Sequence, residues 1–130
     1  MEWSAVIEKE LSFARLQVCA GFAGEDVLLW IGGGDRQHLG SVVQAVPRFS
    51  LTGDGSTSCT SSVLNLTGHK DEAICRALAE KICTELRAVT VCTGGFHVDN
   101  IEPEQIREVM KAAEDVGDEV VLQLKISKRM

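Results

Sequence analysis

The sequence predicts a single α+β domain, and three observations carry that prediction. The first half alternates apolar and polar residues at the period of a strand. A stretch near residue 70 switches to the 3.6-residue period of a helix. A glycine cluster or a proline interrupts the pattern at most element ends. With 130 residues the chain suits one domain with a real core, and its 45% hydrophobic and 25% charged residues are those of a folded globular protein.

In Phe13 to Ala20 the residues Ala14, Leu16, Val18 and Ala20 share one parity, as a strand with one buried face requires. Gly21 to Glu25 reads as a hairpin turn. Val27-Leu28-Leu29-Trp30-Ile31 is apolar on both parities, which predicts a central strand covered on both sides and ending at Gly32-Gly33-Gly34. Ser41 to Val46 forms a third strand stopped by Pro47, and Ser61 to Leu66 a fourth, with the polar stretch 50–60 as loop or irregular hairpin.

From Lys70 to Leu86 the residues Ile74, Ala77, Leu78, Ile82 and Leu86 follow helical spacing, with Lys81 at the stripe margin. Ala88 to Cys92 returns as a short buried strand, the fifth. Asn100 ahead of Ile101-Glu102-Pro103-Glu104 marks a helix entrance, because proline and acidic residues both suit a first helical turn. Ile106, Val109, Met110 and Ala113 give this helix an apolar face. Beyond Gly117, Val120, Val121 and Leu124 extend the helix while Leu122, Leu124 and Ile126 fit a strand; the helix is the reading adopted.

Charge and cysteine usage bound the function. A formal charge of -6 opposes a nonspecific nucleic-acid binder, which needs clustered Lys and Arg, and the absence of Tyr leaves few rings for base stacking. No basic segment leads into a long apolar one and no run is long enough to span a bilayer, so the expected location is cytoplasmic, away from membranes. Cys19, Cys59, Cys75, Cys83 and Cys92 are odd in number and contain no Cys-x-x-Cys pair, which fits reduced, packed thiols better than a disulfide framework or a zinc ribbon.

Three histidines, His38, His69 and His97, each follow glycine in a loop-like stretch: Gly32-Gly33-Gly34-Asp35-Arg36-Gln37-His38, Gly68-His69-Lys70-Asp71, and Gly94-Gly95-Phe96-His97-Val98-Asp99-Asn100. Glycine lets backbone amides approach a ligand, and histidine binds metal, moves a proton or donates to an anion. If the loops meet they form one pocket. The triple glycine lacks the Walker lysine, and no helix directly follows it, so it is a poor phosphate loop. Asp35 or Asp99 can serve as ligand or orienter in a three-histidine metal site, and Arg48 can grip a carboxylate or phosphate bidentately. The hydroxyl run Ser56 to Ser62 has no Gly-x-Ser-x-Gly signature, and nothing local activates Cys59.

Taken in order, Ile31 to Gly40, Ala45-Val46-Pro47-Arg48, Leu66 to Asp71 and Gly94 to Asn100 resemble the LpdD-like prenylated-flavin chaperones, the small D-type subunits that accompany UbiD-type hydroxyarylic acid decarboxylases. The resemblance spans residues 8–115. It implies a noncatalytic helper that binds or delivers prenylated FMN or supports a UbiD-type large subunit. Gly32, Gly33, Gly34, Asp35, His38, Arg48, His69, Lys70, His97 and Asp99 are then the cofactor-binding candidates. A weaker likeness, to small proteasome assembly chaperones, implies a mainly antiparallel sheet of about five strands packed by two helices, and a two-fold homodimer. Two alternatives stand beside this reading: a small metal-dependent enzyme using the three histidines, with Asp35 or Asp99 as base, and a dimeric protein-assembly chaperone with no small-molecule site.

Overall fold

The computed structural model describes residues 1–65 and 69–129, with the backbone alone described at 69 and 70. Eight elements follow one another: β1 (Ala5–Glu10), β2 (Arg15–Ala23), β3 (Asp26–Gly33), β4 (Ser41–Phe49), β5 (Thr57–Asn65), α1 (His69–Leu86), β6 (Thr90–Gly94) and α2 (Pro103–Lys128). The strands make one six-stranded sheet in the order β1-β2-β3-β6-β4-β5. The β3–β6 pair is parallel and every other pair is antiparallel. The predicted α+β class stands, with six strands rather than five.

The unread strand is β1. Its alternation is short, with Ala5 and Ile7 buried and Val6 and Glu8 exposed, so six residues with two acids gave little signal. The β2–β3 turn is tighter than the sequence reading had it. Ala23 pairs with Asp26, leaving Gly24 and Glu25 as the loop, and Gly24 takes a left-handed φ of 65°. β4 runs through Pro47 to Phe49, and β5 begins at Thr57, so the loop shrinks to residues 50–56. The proline is tolerated because β4 pairs with β6 only as far as Ala45; beyond it one side of β4 has no neighbouring strand.

α2 is continuous to Lys128, which resolves the ambiguity after Gly117 as helix. It starts one turn later than Asn100, with Glu102 as N-cap. The Glu102 and Gln105 side chains form a reciprocal capping box, and Pro103 takes the first turn, where its missing N–H costs nothing. Gly117 is buried in this helix, and a Cβ there would meet Lys81 Cδ at 3.0 Å and Leu78 Cδ2 at 3.4 Å. It lets α2 approach α1, whose Lys81 ends in an ion pair with Asp118.

Both helices lie on the same side of the sheet. α1 packs on β3, β4, β5 and β6, α2 on β1 and β2, and the helices touch each other. Leu16, Leu29, Ile31, Val43, Ile74, Leu78, Ile82, Val109, Val116 and Leu124 fill the space between. Among the described residues no helix covers the opposite side, where only Glu2 and Trp3 lie against Gly21. Strand register lines up Val6, Cys19, Trp30, Thr93, Val42 and Leu64 in one row across all six strands of that side. Val6 is 53% exposed and Leu64 74%. The both-parity hydrophobicity of residues 27–31 thus has one buried half and one half that faces outward.

Candidate functional site

Topology explains why two of the glycine-histidine loops meet. β6 slots between β3 and β4 and runs parallel to β3, so the C-terminal ends of β3 and β6 open at the same sheet end, beside the start of β4. The loop after β3 carries His38 and the loop after β6 carries His97. A crevice outside the carboxyl ends of parallel neighbours is where open sheets commonly hold ligands.

Glycines close this end by backbone contact. Gly33 and Gly94 have φ of 136° and 128°, and a Cβ at either would strike a carbonyl, that of Arg15 or of Ile31. The two loops are stitched together: the Asp35 amide donates to the His97 carbonyl at 2.6 Å, the Gly34 amide to Arg15 at 3.3 Å, the Gly40 amide to Gly94 at 2.8 Å, and the Gly95 amide to Ile31 at 3.3 Å. The loop amides at 34, 35, 40 and 95 are therefore spent on structure. Gly32 has a different task, since its missing Cβ leaves room for the Trp30 indole on the open side of the sheet.

At the centre stands a pair that the sequence candidates include only by half. His38 Nε2 hydrogen-bonds Asp71 Oδ2 at 3.0 Å, and the buried Phe96 amide donates to Asp71 Oδ1 at 2.8 Å. Asp71, in the first turn of α1, is 3% exposed. An ionised carboxylate only accepts, so Nε2 carries a hydrogen, and in the neutral ring Nδ1 is left with a lone pair. That Nδ1 is buried and has no hydrogen-bond partner among the described residues. The ring lies against Gly95, where a Cβ would come within 2.5 Å of Cε1, and Gly40 leaves room for the Asp71 carboxylate.

The second histidine stands 5.9 Å from the first, centroid to centroid, with its ring at 90°. His97 Nε2 pairs with Asp99 Oδ1 at 2.8 Å, and the Asp99 amide donates to Asp35 Oδ2 at 3.0 Å. Gly32, Gly33, Gly34, Asp35, His38, His97 and Asp99 thus belong to one end of the sheet. The backbone of His69 and Lys70 opens α1 just ahead of Asp71, while Gly68 and the two side chains lie outside the described residues. Among the described residues no group of three or more His, Cys, Asp or Glu side chains is placed to hold a metal ion.

Arg48 stands apart. It lies seven residues along β4 from Ser41, roughly 23 Å at ~3.3 Å per residue, so the sheet separates it from the histidines. There it lines a different cleft with Arg87. Asp71 was missed as a site residue because an acid in a first helical turn reads as a dipole partner. The signal for it was its place in Gly68-His69-Lys70-Asp71, one of the three glycine-histidine stretches. Chemically, the histidine end offers two oriented imidazoles and three carboxylates. It suits ligands that donate hydrogen bonds better than anions.

The model of the prenylated flavin chaperone LpdD-like domain matches residues 12–125, nearly the whole chain. This chain belongs to the LpdD-like prenylated flavin chaperone family. Among solved structures it is similar to a chain of a crystal structure described as a novel chaperone complex for yeast 20S proteasome assembly. The TM-score is 0.53 at 14% identity, covering 90% of this chain and 97% of that one. That likeness is one of fold. No curated protein matches the sequence. Both resemblances read from the strand-loop order are therefore found, and among the described residues no helix is long and apolar enough to cross a membrane.

Proposed function

We propose that this LpdD-like chaperone is a noncatalytic accessory protein that binds prenylated FMN or supports a UbiD-type decarboxylase, and that it works as a homodimer. The observation that carries the accessory reading is the bare outer side of the sheet. A one-sided antiparallel sheet exposes polar residues on its wet face, and here Val6, Trp30, Val42 and Leu64 form an apolar row bordered by polar residues such as Glu8, Gln17, Gln44 and Ser62. A second chain is the natural cover, and the centre of the row carries no charge that would oppose a copy of itself.

The histidine end supplies the ligand or partner surface. His38, fixed by Asp71, and His97, fixed by Asp99, are two oriented, partly exposed rings. A flavin ring system carries matching N–H and carbonyl groups, and its own chemistry stays with the catalytic subunit. In this reading Gly32, Gly33, Gly34 and Asp35 shape the loop, and His69 and Lys70 flank it from the start of α1. Incubation with oxidised prenylated FMN followed by gel filtration tests it. The chromophore co-elutes with the protein and is lost from His38→Ala and His97→Ala. Retention unchanged in both variants, with the fold intact, refutes the histidine assignment.

A further inference from the structure

We propose that the outer edge of β5 is a strand-addition site for an extended segment of a partner protein that carries a basic residue. The sheet has two edges, and the chain treats them differently. β1 is six residues long and holds Glu8, Lys9 and Glu10, the brevity and charge that discourage another strand from pairing. β5 is nine residues long, from Thr57 to Asn65, with no charge and no proline. Among the described residues it pairs with β4 alone, and no turn or loop hydrogen-bonds its backbone. Backbone groups alternate in direction along an antiparallel strand, so about half of these residues turn N–H and C=O outward, a ladder for an incoming strand.

The neighbouring helix sets the chemistry of that strand. Ser61 Oγ donates to Glu80 Oε2 at 2.5 Å and Asn65 Nδ2 to Glu72 Oε1 at 2.6 Å, so α1 runs along the helix-facing side of β5 with Glu80 beside the middle of the strand. Arg76 sits between the two acids but leans to Glu72, at 2.9 Å against 3.7 Å to Glu80. Glu80 therefore keeps charge to offer, and its side chain is 38% exposed. A strand laid beside β5 puts alternate side chains on the same side as Ser61, within reach of that carboxylate. A lysine or arginine there gains an ion pair, whereas an acid meets repulsion.

The same carboxylate argues against a second copy as the occupant. Two β5 strands pair symmetrically over their full length only when antiparallel about Ser61, with Thr57 facing Asn65. That register brings the two Glu80 carboxylates together at the two-fold axis, where like charges oppose closure. A shifted register forfeits ladder bonds. The edge thus fits a basic strand from a different protein. The proposal does not rest on flavin binding, which concerns the end of the sheet that holds His38 and His97.

Two-dimensional amide NMR and fluorescence anisotropy of the full chain test it with a blocked peptide as long as β5, alternating threonine and valine around a central lysine, and with its glutamate counterpart. The lysine peptide slows hydrogen exchange at the outward amides of β5 and not of β1, and it binds roughly fivefold tighter than the glutamate peptide. Glu80→Gln keeps an acceptor for Ser61 and removes that preference, while its flavin retention matches the parent's. Methylation of every backbone nitrogen of the peptide abolishes binding. No binding at millimolar peptide, equal affinity of the parent for the two peptides, or full binding after methylation overturns the proposal. So does protection of the outward β5 amides in the peptide-free chain, which would assign the edge to a second copy.

Discussion

Asp71→Ala is the sharpest perturbation of the histidine end. The carboxylate accepts two hydrogen bonds, from the buried Phe96 amide at 2.8 Å and from His38 Nε2 at 3.0 Å, and it is itself buried. Removal leaves the Phe96 N–H unsatisfied, at about 1–3 kcal/mol. It also frees the imidazole from a charge-assisted bond worth about 1.5–3 kcal/mol, of which the lower end applies because the His38 side chain is 33% exposed. The expected loss is about 3–4 kcal/mol. For 130 residues an unfolding entropy of ~2.1 cal/mol/K per residue converts this to a drop of roughly 11–15 °C. Chemical denaturation and calorimetry of Asp71→Ala, His38→Ala and the double variant measure it. The cycle should show about 1–2 kcal/mol of coupling. A loss below 1 kcal/mol for Asp71→Ala, or strict additivity, refutes the argument that Asp71 holds His38.

Other expectations follow from packing and titration. Gly117→Ala stabilises α2 by about 0.5–1 kcal/mol in denaturant melts, because alanine favours the helix and the closest neighbour is the flexible end of Lys81; a loss of stability would show that the α1–α2 approach tolerates no methyl. Burial, then the neighbouring Cys59, pushes the Cys83 thiol up to about 11 from an ordinary 9.0. Only about a thousandth is thiolate at pH 8, so native iodoacetamide labelling at Cys83 is far slower than for free cysteine. The unfolded chain deprotonates first, so this group's contribution to stability falls as pH rises from about 9 towards 11, a slope that urea melts across that range resolve. Val42→Asp puts a charge in the apolar row of the open sheet face and converts the proposed dimer to a monomer by sedimentation with little effect on secondary structure; an unchanged mass removes that face from the proposed interface.

The sequence carried the elements whose patterns were long and one-sided. The helix over residues 69–86 and the strand parities of Leu16, Val18 and Ala20 emerged because one face of each packs against the core. β1 stayed hidden because an edge strand of six residues needs only two buried side chains. Pro47 misplaced the end of β4, since its cost depends on where β6 stops pairing, which no local pattern records. The meeting of His38 with His97 was legible only as a conditional, because it depends on β6 entering between β3 and β4. Arg48 was grouped with the histidines by residue type, and strand direction separates them. The double-sided hydrophobicity of residues 27–31 predicted cover on both faces, and the structure supplies it on one face only, because both helices pack on the same side of the sheet.

The most direct test of the central claim is retention of flavin by the purified chain. Protein mixed with oxidised prenylated FMN and passed through gel filtration should carry the flavin absorbance in its own peak, at close to one per chain. That peak should pass the flavin to a UbiD-type apo-decarboxylase and restore its activity. Elution of all chromophore in the small-molecule fraction, with no gain in decarboxylase activity when the chain is present, would contradict the account.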